Sequence, residues 1–131
     1  MESINRFGPL VGRILLASIF VISGLGKITG FAGTSAYIAS KGFPMPDLFT
    51  IGTIAVEVLG GMMVVAGWKA RWGAAALFVF TALAAIIFHN FWDSPPDQAQ
   101  NQMINFMKNI SIMGGLLYIV AFGSGPISLK K

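Results

Sequence analysis

The chain has no cysteine among its 131 residues and a single histidine. Without a thiol it contributes no disulfide exchange, no thiolate nucleophile and no cysteine-ligated zinc, haem or iron–sulfur centre. One histidine excludes bis-histidine haem ligation, and no metal-ligand spacing is present, so no metal site is expected. Charge is scarce as well. Asp, Glu, Lys and Arg supply 11% of the residues, against roughly a quarter in a soluble domain. The net charge of +4 is spread beside apolar blocks, where basic residues set membrane orientation, and no nucleic-acid partner is expected.

What the chain has is apolar sequence: 55% hydrophobic residues and a mean hydropathy of +0.74. It falls into four blocks, 7–28, 48–68, 71–91 and 104–123, each near the ~20 residues a helix needs to cross the hydrocarbon core. A transmembrane β-barrel needs strands of alternating polarity, whereas GAAALFVFTALAAIIF is apolar all round. The first block follows Arg6 but has no Ala-x-Ala-like site after it, and Lys27 ends the apolar run, so it reads as a span and not as a cleaved signal. The expected fold is an all-α membrane protein: a single domain over 1–131, a four-transmembrane-helix bundle in contact with the lipid bilayer.

Four spans put both termini on one side with Arg6, Lys69, Arg71, Lys130 and Lys131 against Glu2 alone. The other side carries Lys41, Asp47, Asp93 and Asp97. The positive-inside rule makes the termini cytoplasmic and the first and third loops external. Trp68, Trp72 and Trp92 fall at span ends, where indoles prefer to sit. In loop 1, GFAGTSAYIASKGFPMP predicts a short interfacial helix around Ala36–Ser40 over the outer mouth, with Thr34 or Ser35 as cap, Lys41-Gly42 as stop, and Pro44 and Pro46 blocking extension. Loop 3, DSPPDQAQNQ, is polar and proline-broken and predicts an exposed turn.

EVLGGMMVV in the second span aligns with SIMGGLLYI in the fourth, suggesting a repeat of two parallel hairpins. The alignment pairs Gly60-Gly61 with Gly114-Gly115 and Glu57 with Ser111. Glycines at one depth let helices approach closely, so Gly24, Gly60, Gly61, Gly114 and Gly115 are candidate packing positions.

Five ionisable residues lie within or at the margins of the spans: Arg13, Lys27, Glu57, His89 and Lys108. Arg13, Ala17, Phe20, Gly24 and Lys27 fall on one face of the first helix, with the two cations about 21 Å apart. Glu57 shares a face with Thr53, Gly60 and Gly61 and lies roughly 13 Å below the outer end of its helix. Lys108 lies roughly 6 Å below its own, and a lysine stem adds reach. Lys27, His89, Lys108 and Glu57 therefore converge in the outer half of the bundle, while Arg13 sits nearer the cytoplasmic end. On a structural reading Glu57 pairs with Lys108 or Arg13, and Lys27 reaches the head groups. On a functional reading, several cations around one acid exceed what neutralisation needs and suit an anionic or carbonyl-bearing ligand.

The segments RILLASIFVISGLGKITGF, KGFP, EVLGGMMVVAGW, IIFHNFW, FMKNISIMGGLL and GSGPISL, in this order, resemble the DoxX family of small four-helix bacterial membrane proteins. The resemblance runs from Arg13 to Leu129. That family is similar to the membrane subunit of thiosulfate:quinone oxidoreductase and, more distantly, to cargo receptors without redox chemistry. It implies a quinone-linked redox subunit with no covalent cofactor and with quinone as ligand, acting as a homo-oligomer or inside a membrane oxidoreductase complex. In that reading Glu57 and His89 are the proton-exchanging, catalytic groups. Arg13, Lys27 and Lys108 bind the ligand, and Phe20, Phe88 and Phe106 supply an apolar wall. A non-enzymatic scaffold with structural charges, and an oligomeric transporter of small anions or lipids, are the alternatives.

Overall fold

Every apolar block forms a helix, and most of the helices run past their blocks. The computed structural model describes residues 1–129; Lys130 and Lys131, two of the charges used to orient the chain, lie outside the described residues. The elements are α1 (Glu2–Thr29), α2 (Phe31–Ser40), α3 (Pro46–Ala66), α4 (Ala70–Phe88), a 3-10 turn (Phe91–Asp93) and α5 (Pro96–Phe122). Four of the helices are long and apolar enough to cross a membrane.

Two loop expectations are corrected. The third loop is not a turn throughout, because α5 begins at Pro96, inside DSPPDQAQNQ. A proline in the first turn has no amide that the helix needs, and its fixed φ suits a helix start. The helix of the first loop begins at Phe31 and not near Ala36. Ser35 does not cap it; its Oγ donates to Asp47 Oδ1 at 2.5 Å, tying α2 to the first turn of α3. The stop is where Lys41-Gly42 places it, with Gly42 at φ 87°, a conformation that costs glycine little. Pro46 opens α3, and the third span's helix ends at Phe88, three residues short of the apolar block.

The long helices pack in chain order, α1 on α3, α3 on α4 and α4 on α5, around Ala17, Phe20, Val64, Leu77 and Leu116. The small core residues Ala17, Ala70 and Ala74 let backbones come close, the main source of helix affinity where lipid removes the hydrophobic drive. A Cβ on Gly24 would stand 2.7 Å from Val58 Cγ2, and one on Gly61 2.7 Å from Val21 Cγ2, so both glycines set the α1–α3 contact. Gly60 faces the other way, onto Leu77 of α4. The glycines matched by the repeat are used differently. Gly115 meets Leu16 of α1, whereas Gly114 has nothing within 4 Å among the described residues. The pairing α1–α3 and α4–α5 is the one two hairpins require, but the second glycine pair does not reproduce the contacts of the first. Gly61→Leu is therefore expected to cost about 1–3 kcal/mol by overpacking, and Gly114→Leu to be near neutral. Thermal midpoints of the two variants in detergent check this; equal midpoints would count against the packing role of Gly61.

The α1–α3 register explains the space at one end of the bundle. Gly24 lies against Glu57 and Val58, and Gly61 against Val21 and Ala17. Counting onward, α1 ends near the level of Gly52, about six residues or ~9 Å short of the start of α3. Helix α2 covers the gap. The start of α1 and Leu129, the last described residue, lie at the opposite end, where Leu129 N–H donates to Ala66 O at 3.1 Å.

Candidate functional site

Beneath α2 the gap forms a cavity of about 270 Å³. Helix α1 contributes Phe20, Ser23 and Lys27; α3 contributes Thr53 and Glu57; α4 contributes Phe80, Thr81 and Phe88, followed by His89; α5 contributes Lys108 and Asn109. Thr34, Tyr37 and Ile38 of α2 form the roof. Four of the five ionisable residues singled out in the sequence thus line one space.

Lys27 Nζ forms an ion pair with Glu57 Oε1 and donates to Ser23 Oγ at 2.8 Å. This corrects the expected pairing of Glu57 with Lys108 or Arg13, and of Lys27 with head groups. A side chain on a helix leans back toward the N-terminus, so Lys27 folds down over Ser23, one turn earlier. Gly24, having no side chain, lets that turn of α1 lie against Glu57 itself. The glutamate side chain is 4% exposed and the lysine 24%. An ammonium has three donors, and the pair with Glu57 and the bond to Ser23 use two, leaving one for the cavity.

His89 caps the C-terminus of α4, and its Nδ1 lies 2.9 Å from Gln102 Oε1 of α5. A neutral imidazole that donates there keeps Nε2 as an acceptor. Lys108 reaches Asn105 Oδ1 at 3.5 Å and borders the cavity from the more exposed side of α5. Phe88 packs on Tyr37 of the roof, ring centroids 5.4 Å apart.

Two of the proposed ligand contacts lie elsewhere. Phe106 belongs to an aromatic cluster with Phe91 and Trp92 at the α4–α5 connection, each pair of centroids 5.2–5.5 Å apart. Arg13 is buried at the termini end. Its Nη1 donates to Ser124 O at 2.5 Å and its Nη2 to Ile127 O at 2.7 Å.

The structure also supplies residues that the charge pattern did not indicate. Thr81 is 2% exposed, borders the cavity, and has no hydrogen-bond partner for its hydroxyl among the described residues. Asn109 of α5 is also buried and lines the same cavity. One signal was available for Thr81: it is the only polar side chain in the run from Gly73 to Phe88. A buried hydroxyl without a partner costs about 1–3 kcal/mol, so its place on the wall of a polar cavity is informative.

A model of the DoxX family matches residues 8–90. The chain is 42% identical over 123 residues to the inner membrane protein YphA of Escherichia coli K12, covering 93% of this chain and 87% of YphA. It is 34% identical over 131 residues to the inner membrane protein YqjF of the same organism, covering 100% of this chain and 95% of YqjF. It is also 35% identical over 87 residues to CatD of Bacillus subtilis, a protein provisionally named an oxidoreductase, covering 66% of this chain and 63% of CatD. No solved structure matches it. The family match takes in Lys27, Glu57, Thr81 and His89, and Lys108 lies beyond it. With well over half of its length under that family model, the chain belongs to the DoxX family.

Proposed function

We propose that the cavity beneath α2 binds the head group of a quinone, and that the protein is an inner-membrane subunit of a redox system whose other groups come from a partner. One observation carries the reading: the Lys27–Glu57 pair, its carboxylate buried, and a buried Thr81 hydroxyl with no partner among the described residues face one cavity. A quinone ring offers carbonyl acceptors when oxidised and hydroxyl donors when reduced. Lys27 and Lys108 suit the first form, Glu57 and His89 the second, and Thr81 can serve either. Phe20, Phe80 and Phe88 supply apolar walls for a ring. A cavity of this size falls at the small end of ligand sites, enough for a head group alone. The relatives named as inner membrane proteins, and the one provisionally named an oxidoreductase, support the location and the redox setting. In this reading the termini are cytoplasmic and the cavity lies in the outer half of the bilayer, with homo-oligomers or a complex as the working form.

The scaffold reading has its own support, since Lys27 and Glu57 satisfy each other without a ligand. Titration of the purified protein in nanodiscs with ubiquinone and menaquinone analogues, followed by tryptophan fluorescence, separates the two. Saturable binding is expected, weakened about tenfold or more by Glu57→Gln and by Lys108→Met, as befits lost hydrogen bonds to charged groups. Thr81→Val is the sharper variant. It is expected to keep or raise the thermal midpoint of the ligand-free protein while weakening binding about fivefold. Absence of saturable binding, or affinities indifferent to all three substitutions, would leave the scaffold reading standing.

A further inference from the structure

The polar cavity has an apolar neighbour. A groove of about 330 Å³ runs along α3, lined by Leu48, Phe49, Gly52 and Val56, and it shares two residues with the cavity, Thr53 and Phe80. The groove follows from residue spacing. Leu48, Gly52 and Val56 are four apart and form one row on the helix surface, and the glycine leaves a trough in its middle. A Cβ built on Gly52 has nothing within 4 Å among the described residues. Leu48 and Phe49 are exposed, so the trough opens on the lipid-facing side. Among the described residues no charged side chain lines it.

Two side chains therefore stand between the cavity, with its charged and hydroxyl groups set among apolar walls, and a more apolar trough facing the bilayer. On the other flank, between α1 and α5, the cavity is bordered by Ile19 and Ile112 but also by Lys27, Lys108 and Asn109. A hydrocarbon chain attached to a head group in the cavity would desolvate those charged groups on one route and pass a single hydroxyl, that of Thr53, on the other. We infer that the occupant is an amphiphile, a carbonyl- or hydroxyl-bearing ring on an isoprenoid or alkyl chain, whose chain leaves between α3 and α4 past Thr53 and Phe80 and lies against Gly52. This rests on the head-group reading above and adds the route, the chain and the residues that hold it.

Chain length is a poor test, because lipid is as apolar as the groove and gives the chain little reason to prefer either. Position is the better measurement. An alkyl-chain benzoquinone with a diazirine along the chain is photolysed with the protein in phosphatidylcholine nanodiscs, with and without excess unlabelled benzoquinone head group. Adducts are then mapped by mass spectrometry. Adducts concentrated on residues 45–56 and removed by the competitor are the expected result. Adducts that are competed but fall on α1 and α5 would overturn the route and leave the head-group site intact. Adducts indifferent to the competitor would overturn both, marking residues 45–56 as ordinary lipid contact. Gly52→Phe is expected to cut the competed adducts on α3 about fivefold, since a filled trough has no space for a chain. Gly52→Ala, which meets no neighbour, is expected to keep them. Unchanged labelling in Gly52→Phe would likewise overturn the route.

Discussion

Lys27→Met is expected to destabilise the protein more than Glu57→Gln, and the two changes together less than Lys27→Met alone. The first leaves a carboxylate that is 4% exposed without its cation, and breaking a buried pair from one side costs about 3–5 kcal/mol. Glu57→Gln removes the buried charge and leaves Lys27, at 24% exposure, bonded to Ser23. Lysine also has a stem long enough to swing its ammonium toward the membrane surface. In the double variant no charge is left in the contact, so most of the Lys27→Met loss should return. Thermal midpoints of the two single variants, the double variant and the parent in one detergent give the coupling directly. A double variant as unstable as Lys27→Met would show that packing of the lysine stem, and not its charge, holds α1 to α3.

The same pair marks how far residue patterns carry. Of the stripe Arg13, Ala17, Phe20, Gly24 and Lys27 inferred from spacing, the first four form the buried face of α1 and Lys27 is partly exposed, because 3.6-residue periodicity acts on side chains alone and needs no knowledge of the neighbours. The convergence of Lys27, Glu57, His89 and Lys108 was likewise legible, since depth in a bilayer follows from counting residues along a known axis. The partner of Glu57 was not. Depth counted from span ends treats α1 as reaching the level where α3 begins, whereas α1 stops short of it under α2 and Lys27 leans back toward Ser23. Thr81 and Asn109 escaped notice for a different reason: neither is charged, and only the tertiary arrangement turns a hydroxyl in an apolar helix into part of a polar wall. By composition Pro95-Pro96 reads as the breaker of loop 3, although a proline pair also suits the residue before a helix and its first turn.

Arg13→Met is expected to have an effect of similar size to Lys27→Met, at the other end of the bundle and without changing quinone affinity. Arg13 is 2% exposed and holds the segment after α5 through Ser124 O and Ile127 O, with a longer contact from Nη2 to Val65 O at 3.5 Å. The planar guanidinium spans carbonyls from two elements at once, which one lysine ammonium cannot do in the same geometry. Ser128 lies against Gly67, and Pro9 against Gly125, so the segment is seated across the ends of α1 and α3. Losing the fork strands the carbonyls of Ser124 and Ile127, at about 1–3 kcal/mol for each group left without a partner. Arg13→Lys should recover only part of this. Because the chain has no cysteine, Ser128→Cys provides a single reporter for maleimide labelling. Its labelling should accelerate about tenfold or more in the Arg13→Met background, as expected when local opening becomes easier by over 1 kcal/mol. Equal labelling rates in the two backgrounds would mean that the contacts at Gly67 and Gly125 seat the segment by themselves. A fall in quinone affinity would place Arg13 among the ligand contacts after all, despite its position at the far end of the helix from Lys27.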